Sequence, residues 1–388
     1  MSKRDELKQQ IVTAMFRQPQ LTRPAIISMT GARPAGILEA VDELKSEGVL
    51  LEPERSGIRT GRKAPVLELN PDHAWFVGVD FQSGKTTVVA CDLRGEIRAQ
   101  LETPNHGLSS LENAKMEIRN VIDRLRLHIA ADWKRVRGIG FADPGLVDIP
   151  GGISIKAVNI PVWQNVPTRN WLSHICGMPT VVMPETMIRT GMEYFALKTP
   201  PPSLFLLNTQ GGIGGGFIKN GEPFIGDTGR AMEIGHLVVA PQGPMCRCGN
   251  RGCLEALAGE EGIKRKIAEL QHNGVDTILG EQPFSIEYFI ACVDRDRAAR
   301  IIASELCEYI AQALCVVVTL LNPGRIVISG SLTGLGDLLL DTIRRALQLN
   351  CVLGSLDGLQ LELSQLPPNA TAHGAALRAR EEFRQLNV

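Results

Sequence analysis

Residues Glu233–Glu255 read EIGHLVVAPQGPMCRCGNRGCLE, the stretch of this 388-residue chain densest in chemistry. Cys246, Cys248 and Cys253 fall within eight positions, and His236 is the nearest histidine. Gly243, Gly249 and Gly252 punctuate the run and permit the tight turns that bring such side chains together. Three thiolates and one imidazole form a tetrahedral N/S donor set of the kind zinc prefers. Three reduced thiols in a surface loop are the alternative, and would leave the clustering without a cause. Four protein ligands leave no position open for an activated water, so the expected zinc is structural. Its expected task is to hold the loop that carries Glu233 and Glu255.

The rest of the chain fits a soluble globular protein of two or three domains, with 44% hydrophobic and 21% charged residues. The formal net charge of −1 gives no global bias toward nucleic acid, so any such affinity must be local. No uninterrupted apolar run approaches the roughly 18 residues of a membrane span, and the opening MSKRDELKQQ has no signal-like apolar core. A cytoplasmic protein without membrane insertion is expected. The six cysteines outside the cluster stand singly among apolar neighbours, as buried free thiols do, which fits a reducing compartment.

N-terminal to the cluster the periodicity is first helical. Leu7, Ile11, Val12, Met15 and Phe16 recur at helical spacing, and Gln18-Pro19-Gln20 breaks the pattern. Thr22 can cap a second helix over 23–29, Thr30-Gly31-Ala32 is a short turn, and a third helix is expected over about 33–46, closed by Gly48. Helix, Gly turn, helix is the helix-turn-helix arrangement. Two short strands follow around a polar tip from Arg55 to Lys63, a wing, and Asn70-Pro71-Asp72 marks a boundary. Beyond it, strands alternate with helices in two rounds. Each round opens on a hairpin beside a Gly-rich turn (74–92 and 203–219), which predicts two α/β lobes around a cleft, a repeat carried by pattern alone.

The cysteine cluster resembles the signature of the ROK family, Glu-x-Gly-His followed by Cys-x-Cys-Gly-x-x-Gly-Cys-x-Glu, with every position present. The resemblance continues through Gly78-Val79-Asp80, Gly138-Ile139-Gly140, Pro144-Gly145-Leu146-Val147-Asp148, Trp163-Gln164-Asn165-Val166-Pro167 and Gly214-Gly215-Gly216. It implies a two-lobed, actin-like or ribonuclease H-like sugar-kinase body. The N-terminal winged helix-turn-helix makes the chain similar to the repressor branch. The implied division is a DNA-binding domain at 1–72, a first lobe at 73–184 and 372–388, and a second lobe with the zinc site at 185–371.

Family members that phosphorylate sugars carry an Asn-Asp pair, the Asp eight residues before a Glu and acting as general base. Aligned on Glu193, those positions are Pro184 and Glu185 here. The carboxylate is one methylene longer, and a base misplaced by about 1 Å loses on the order of a hundredfold in rate. The phosphate loops depart too, reading Gln82-Ser83-Gly84-Lys85, Gln210-Gly211-Gly212 and Ser329-Gly330-Ser331 where the family has Gly-Gly-Thr-Lys, Gly-Thr-Gly and a Gly-Gly pair. No kinase activity is expected. An active ATP-dependent sugar kinase with an appended DNA-binding domain is the alternative, and a regulator controlled by a protein partner another. By the same resemblance Asn159, Glu185, Glu233, His236 and Glu255 are expected at an effector site for a sugar or sugar derivative.

Residues 1–72 hold eleven Lys/Arg against ten Asp/Glu, so any DNA case rests on distribution. Arg59, Arg62 and Lys63 fall on the wing tip beside Gly57 and Gly61, where cations can follow a phosphate backbone. Arg33 opens the expected recognition helix and Arg23 the helix before it. The expected partners are a double-stranded operator, a small carbohydrate and a second or further copy of the chain, as homodimer or homotetramer.

Overall fold

A computed structural model describes residues 2–53 and 65–383 of the chain. The N-terminal unit has helices Lys3–Arg17, Arg23–Thr30 and Pro34–Ser46. Ser2 and Asp5 form a reciprocal capping box on the first, the Thr22 hydroxyl accepts from the Ala25 amide on the second, and Gly31 ends that helix at φ 64°. Ile11, Met15, Leu21, Ile26, Ile37 and Leu44 interlock as its core. The strands Gln20–Thr22, Val66–Leu69 and Leu50–Leu51 form one antiparallel sheet with Val66–Leu69 in the centre. The first helix ends at the expected break, and the strand Gln20–Thr22 that follows it is not among the expected elements, because three residues with one apolar side chain are too short to show a period of two. The wing tip, with Arg59, Arg62 and Lys63, lies outside the described residues.

Two five-stranded sheets build the body. One runs Thr180–Pro184, Val136–Asp143, Trp75–Phe81, Lys85–Asp92, Ile97–Pro104; the other runs Glu222–Pro223, Gly214–Lys219, Ser203–Thr209, Arg325–Gly330, Gln360–Leu363. Numbered within each lobe by chain order, both have strand order 3-2-1-4-5. Strand 2 runs antiparallel to its neighbours 1 and 3, and strands 1, 4 and 5 are parallel, in both. The two lobes are therefore topological copies. A small sheet of Leu146–Asp148, Ile153–Lys156 and Gln164–Val166 extends the first lobe toward the cleft, an addition the sequence pattern does not predict.

The helix Arg297–Leu321 is the spine of the second lobe's core. By length and composition alone, with mean hydropathy 1.8 over an 18-residue window, it would pass for a membrane span, yet 56% of that window is buried inside the protein, as in a core helix. Glu305 and Glu308 interrupt the apolar run in sequence while the helix still buries Ile302, Leu306, Ile310, Leu314 and Val318 against the sheet.

The last helix, Ala370–Phe383, returns from the second lobe and packs across strands Trp75–Phe81 and Val136–Asp143 of the first. Its approach is at backbone level: a Cβ on Gly78 would land on the carbonyl oxygen of Ala372, and one on Gly140 on that of Ala375. The N-terminal unit joins the same mass, since Phe76, Leu93, Ala376 and Ala379 share its core. Gly140→Val should lower unfolding stability in urea by about 3 kcal/mol, the upper end for overpacking, because the obstructing atoms are backbone. A variant with an unchanged midpoint would contradict this packing.

Candidate functional site

The cleft between the lobes is built from strand ends and turns. Asp143 ends a first-lobe strand, and Glu185 opens the helix Glu185–Phe195. Asn208 lies near the end of strand Ser203–Thr209. Glu233 and His236 flank a single turn, and Glu255 sits in the short helix Leu254–Ala258. A cavity of about 130 Å³ is lined by all five residues expected at an effector site: Asn159, Glu185, Glu233, His236 and Glu255.

Their hydrogen bonds differ in kind. Asn159 donates across the cleft to the carbonyl of Gly211, and Glu255 accepts from the amide of Ile213. Burial pushes the Glu255 carboxyl upward, opposed by the Ile213 amide and by Asn159. The Glu233 carboxylate has no hydrogen-bond partner among the described residues, and burial raises its pKa. Two further lining residues escape the sequence analysis. Buried Asp143 accepts from Trp163 Nε1 at 3.0 Å, the Gly145 amide at 2.9 Å and the Ser154 hydroxyl, with burial pushing it up to about 6. Lys156 places the one cationic side chain in the lining, and a lone lysine at a strand end carries no signal in sequence.

Glu185 is held differently from a free base. Both its carboxylate oxygens accept from the Asn208 amide nitrogen, each at 3.0 Å, and Asn208 in turn accepts from the Ser329 hydroxyl at 2.8 Å. Thr371 approaches Glu185 at 3.5 Å from the C-terminal helix. Burial pushes Glu185 up to about 7 although Arg189 draws it down. Asp80, at the end of the neighbouring strand, is raised by burial and then by the Glu185 charge.

His236, Cys246, Cys248 and Cys253 converge with all ligand atoms within 4.8 Å of one another. Cys246 Sγ lies 3.8 Å from His236 Nδ1, and Cys248 Sγ lies 3.7 Å from Cys253 Sγ. A tetrahedral ion bound at about 2.3 Å by sulfur separates its ligands by about 3.8 Å, so the side chains stand where a metal would hold them. Burial, then the neighbouring Cys248 and Cys246, pushes the Cys253 thiol up to about 12, so three thiolates here need a compensating cation. The use of His236 Nδ1 leaves Nε2 available to the cavity.

The sequence profile of the ROK family matches residues 76–382. The chain belongs to the ROK family. Among its ROK relatives, a xylose repressor of Caldicellulosiruptor bescii is 25% identical over 91% of this chain and 90% of its own length. A glucokinase of Halalkalibacterium halodurans is 29% identical over 79% of this chain and 96% of its own. A crystal structure of a ROK family transcriptional regulator, a homolog of the E. coli MLC protein, superposes with TM-score 0.82 at 24% identity, covering 98% of this chain and 97% of that one. The regulators thus align through the N-terminal unit, whereas the kinase matches little more than the ROK body.

In the N-terminal unit, Arg33 is exposed immediately before helix Pro34–Ser46, with Pro34 and Ala35 exposed beside it. Arg23 is engaged inside the unit: its guanidinium bonds both Glu52 oxygens at 3.2 and 3.1 Å, and Lys45 shares that carboxylate. The Arg23 and Lys45 contacts hold Glu52 at about 2.

Two measurements follow. A carboxyl raised in the folded state contributes stability that is complete below its unfolded value of 4.5 and lost as pH rises through about 7. Glu185→Gln should therefore reduce the fall in urea midpoint between pH 4.5 and 7, leaving the slope from the other raised carboxyls, Asp80, Asp143, Glu233 and Glu255; an unchanged slope would exclude Glu185 as a source. Purified protein should also contain one equivalent of bound metal, and Cys253→Ser or a chelator should lower Tm by several degrees and expose the 233–255 loop to protease. Equal Tm with and without chelator would refute a metal brace.

Proposed function

We propose that this ROK protein is a DNA-binding transcriptional regulator, most simply a repressor, whose kinase-like body senses a sugar without phosphorylating it. Residues 1–72 serve as a winged helix-turn-helix, 73–184 with 372–388 as one lobe, and 185–371 as the other. The observation that carries this reading is the state of Glu185. A general base needs a free oxygen aimed at the substrate hydroxyl, and both Glu185 oxygens are occupied by Asn208. Pro184 beside it offers no side-chain amide and no backbone donor.

Sensing uses what remains free. Glu233 and His236 Nε2 are acceptors for a polyol's hydroxyls, and Asn159 and Glu255 exchange their present partners for the ligand. Zinc, held by His236, Cys246, Cys248 and Cys253, supplies the positive charge that keeps three thiols ionised and so fixes this loop. Ligand shifts the population between lobe angles, and two winged units move out of register with a pseudo-palindromic operator. Arg33 reaches base edges, while Arg59, Arg62 and Lys63 contact phosphates. The regulator acts as a cytoplasmic homo-oligomer, since two-fold symmetry matches paired half-sites of an operator.

Identity of 29% to a glucokinase favours phosphorylation as the competing reading. A coupled ADP-release assay with glucose, xylose and N-acetylglucosamine discriminates between them. No turnover above background is expected, alongside recovery of discrete pseudo-palindromic sites from a pool of genomic fragments. Sustained turnover on any sugar would make the protein a kinase.

A further inference from the structure

Beside the polar cavity lies a second, narrow one of about 20 Å³, walled by Pro184, Met187, Phe217, Phe224, Ile225 and Met232. The two share walls at Leu146, Pro184, Thr186, Gly215, Met232 and Glu233, so the narrow cavity adjoins the polar one and adds an end walled by apolar side chains. Glu233, whose carboxylate lacks a protein partner, stands on the seam. Thr186 and Glu233 sit on the shared wall, and beyond them the Thr190 hydroxyl already donates to the carbonyl of Thr186 at 2.5 Å. A hydroxyl carried past that wall, among Met187, Phe217, Phe224 and Ile225, would be desolvated without a side-chain partner, at a cost of about 1–3 kcal/mol.

Three further observations mark the apolar end as built for an occupant. Phe224 and Ile225 are 50% and 40% exposed at its rim, although Phe224 is already stacked edge-on to Phe217 at 6.4 Å. Met232 holds the left-handed backbone at φ 69°, a conformation that costs a non-glycine residue about 1–2 kcal/mol and is maintained where the surroundings enforce it. The walls also come from both lobes: Leu146 and Pro184 from the first, Phe217, Phe224 and Ile225 from the second.

We infer that the effector carries a compact apolar substituent, of methyl to ethyl size, which seats in this second cavity while its hydroxyls meet Glu233 and His236. The inference rests on the sugar-sensing reading above. The size follows from the volume, since one water-sized group takes about 10–15 Å³ by the same measure. Such a group touches both lobes at once, so its binding is sensitive to the angle between them.

Titration calorimetry on the full-length, metal-replete chain tests this with glucose, xylose and N-acetylglucosamine, their α- and β-methyl and ethyl glycosides, and 6-deoxyglucose. At least one alkylated or deoxy form should bind about fourfold more tightly than its parent for each methylene-sized group buried. Met187→Asn and Phe224→Ser should each abolish that preference while leaving the parent sugar's affinity within twofold; retained parent binding shows that the variant is folded. Parents that bind as tightly as every alkylated form, or a preference that survives both substitutions, would overturn the inference and leave sugar sensing intact. A chain that binds no member of either series would remove the sugar-sensing reading, and this inference with it.

Discussion

A single side-chain amide, that of Asn208, holds both oxygens of the buried carboxylate at the heart of the cleft. Glu185 stands at the first position of its helix, where the helix dipole would favour a charged carboxylate, yet burial outweighs that and moves its pKa up to about 7. Asn208 satisfies both oxygens, and Ser329 orients Asn208 from the adjacent parallel strand. Losing either partner strands a buried polar group, worth about 1–3 kcal/mol. The bond that does cross the cleft runs from Asn159 of the first lobe to the Gly211 carbonyl of the second, while Glu255 accepts from Ile213 within the second lobe.

This constraint also separates recognition from chemistry within one fold. Phosphoryl transfer needs a base that is unprotonated, unbonded and aimed, together with glycine-lined loops against the phosphates. Recognition needs only fixed acceptors in a space of the right shape. The fixed acceptors here are Glu233 and His236, placed by a loop whose four donor side chains already stand at metal-bound spacing. The loop is further confined by close backbone contact: a Cβ on Gly235 would strike the carbonyl of Ile213. The side of the cleft formed by 233–255 is therefore fixed by its donor cluster and by backbone contact, and the side of Glu185 by Asn208 and Ser329.

How much of this was legible in sequence depended on whether the cause was local. The cysteine cluster was, because its ligand spacing is written in consecutive residues. Both lobe-opening hairpins were, because alternation and glycine turns are short-range. The long helix Arg297–Leu321 was legible as well, because its apolar periodicity runs on past two glutamates. The C-terminal helix gave no element at all, since Ala370, Ala372, Ala375, Ala376 and Ala379 are small residues buried on several sides and show little helical stripe. Glu185 could be found as a substituted position, but its capture by Asn208 joins residues 23 apart on different elements, and no motif encodes it. Asp143 and Lys156 reach the cavity for the same long-range reason.

The C-terminal helix has a consequence for regulation. Thr371, at one end, touches Glu185; Arg380, at the other, lies over the Phe16 ring with 4.1 Å between guanidinium and centroid. Nine helical steps separate them, about 13 Å of rigid rod. Arg94 further binds the Leu69 carbonyl at 2.7 Å and Glu68 at 3.0 Å, and Arg135 binds Asp72 at 3.0 Å. With its core shared and its edges pinned, the N-terminal unit moves with the first lobe as one body. The joint left to respond in the cleft is the second lobe against that body. Within one chain, a change of that angle leaves the surface around Arg33 unaltered, because Arg33 rides on the unit that shares its core with the first lobe.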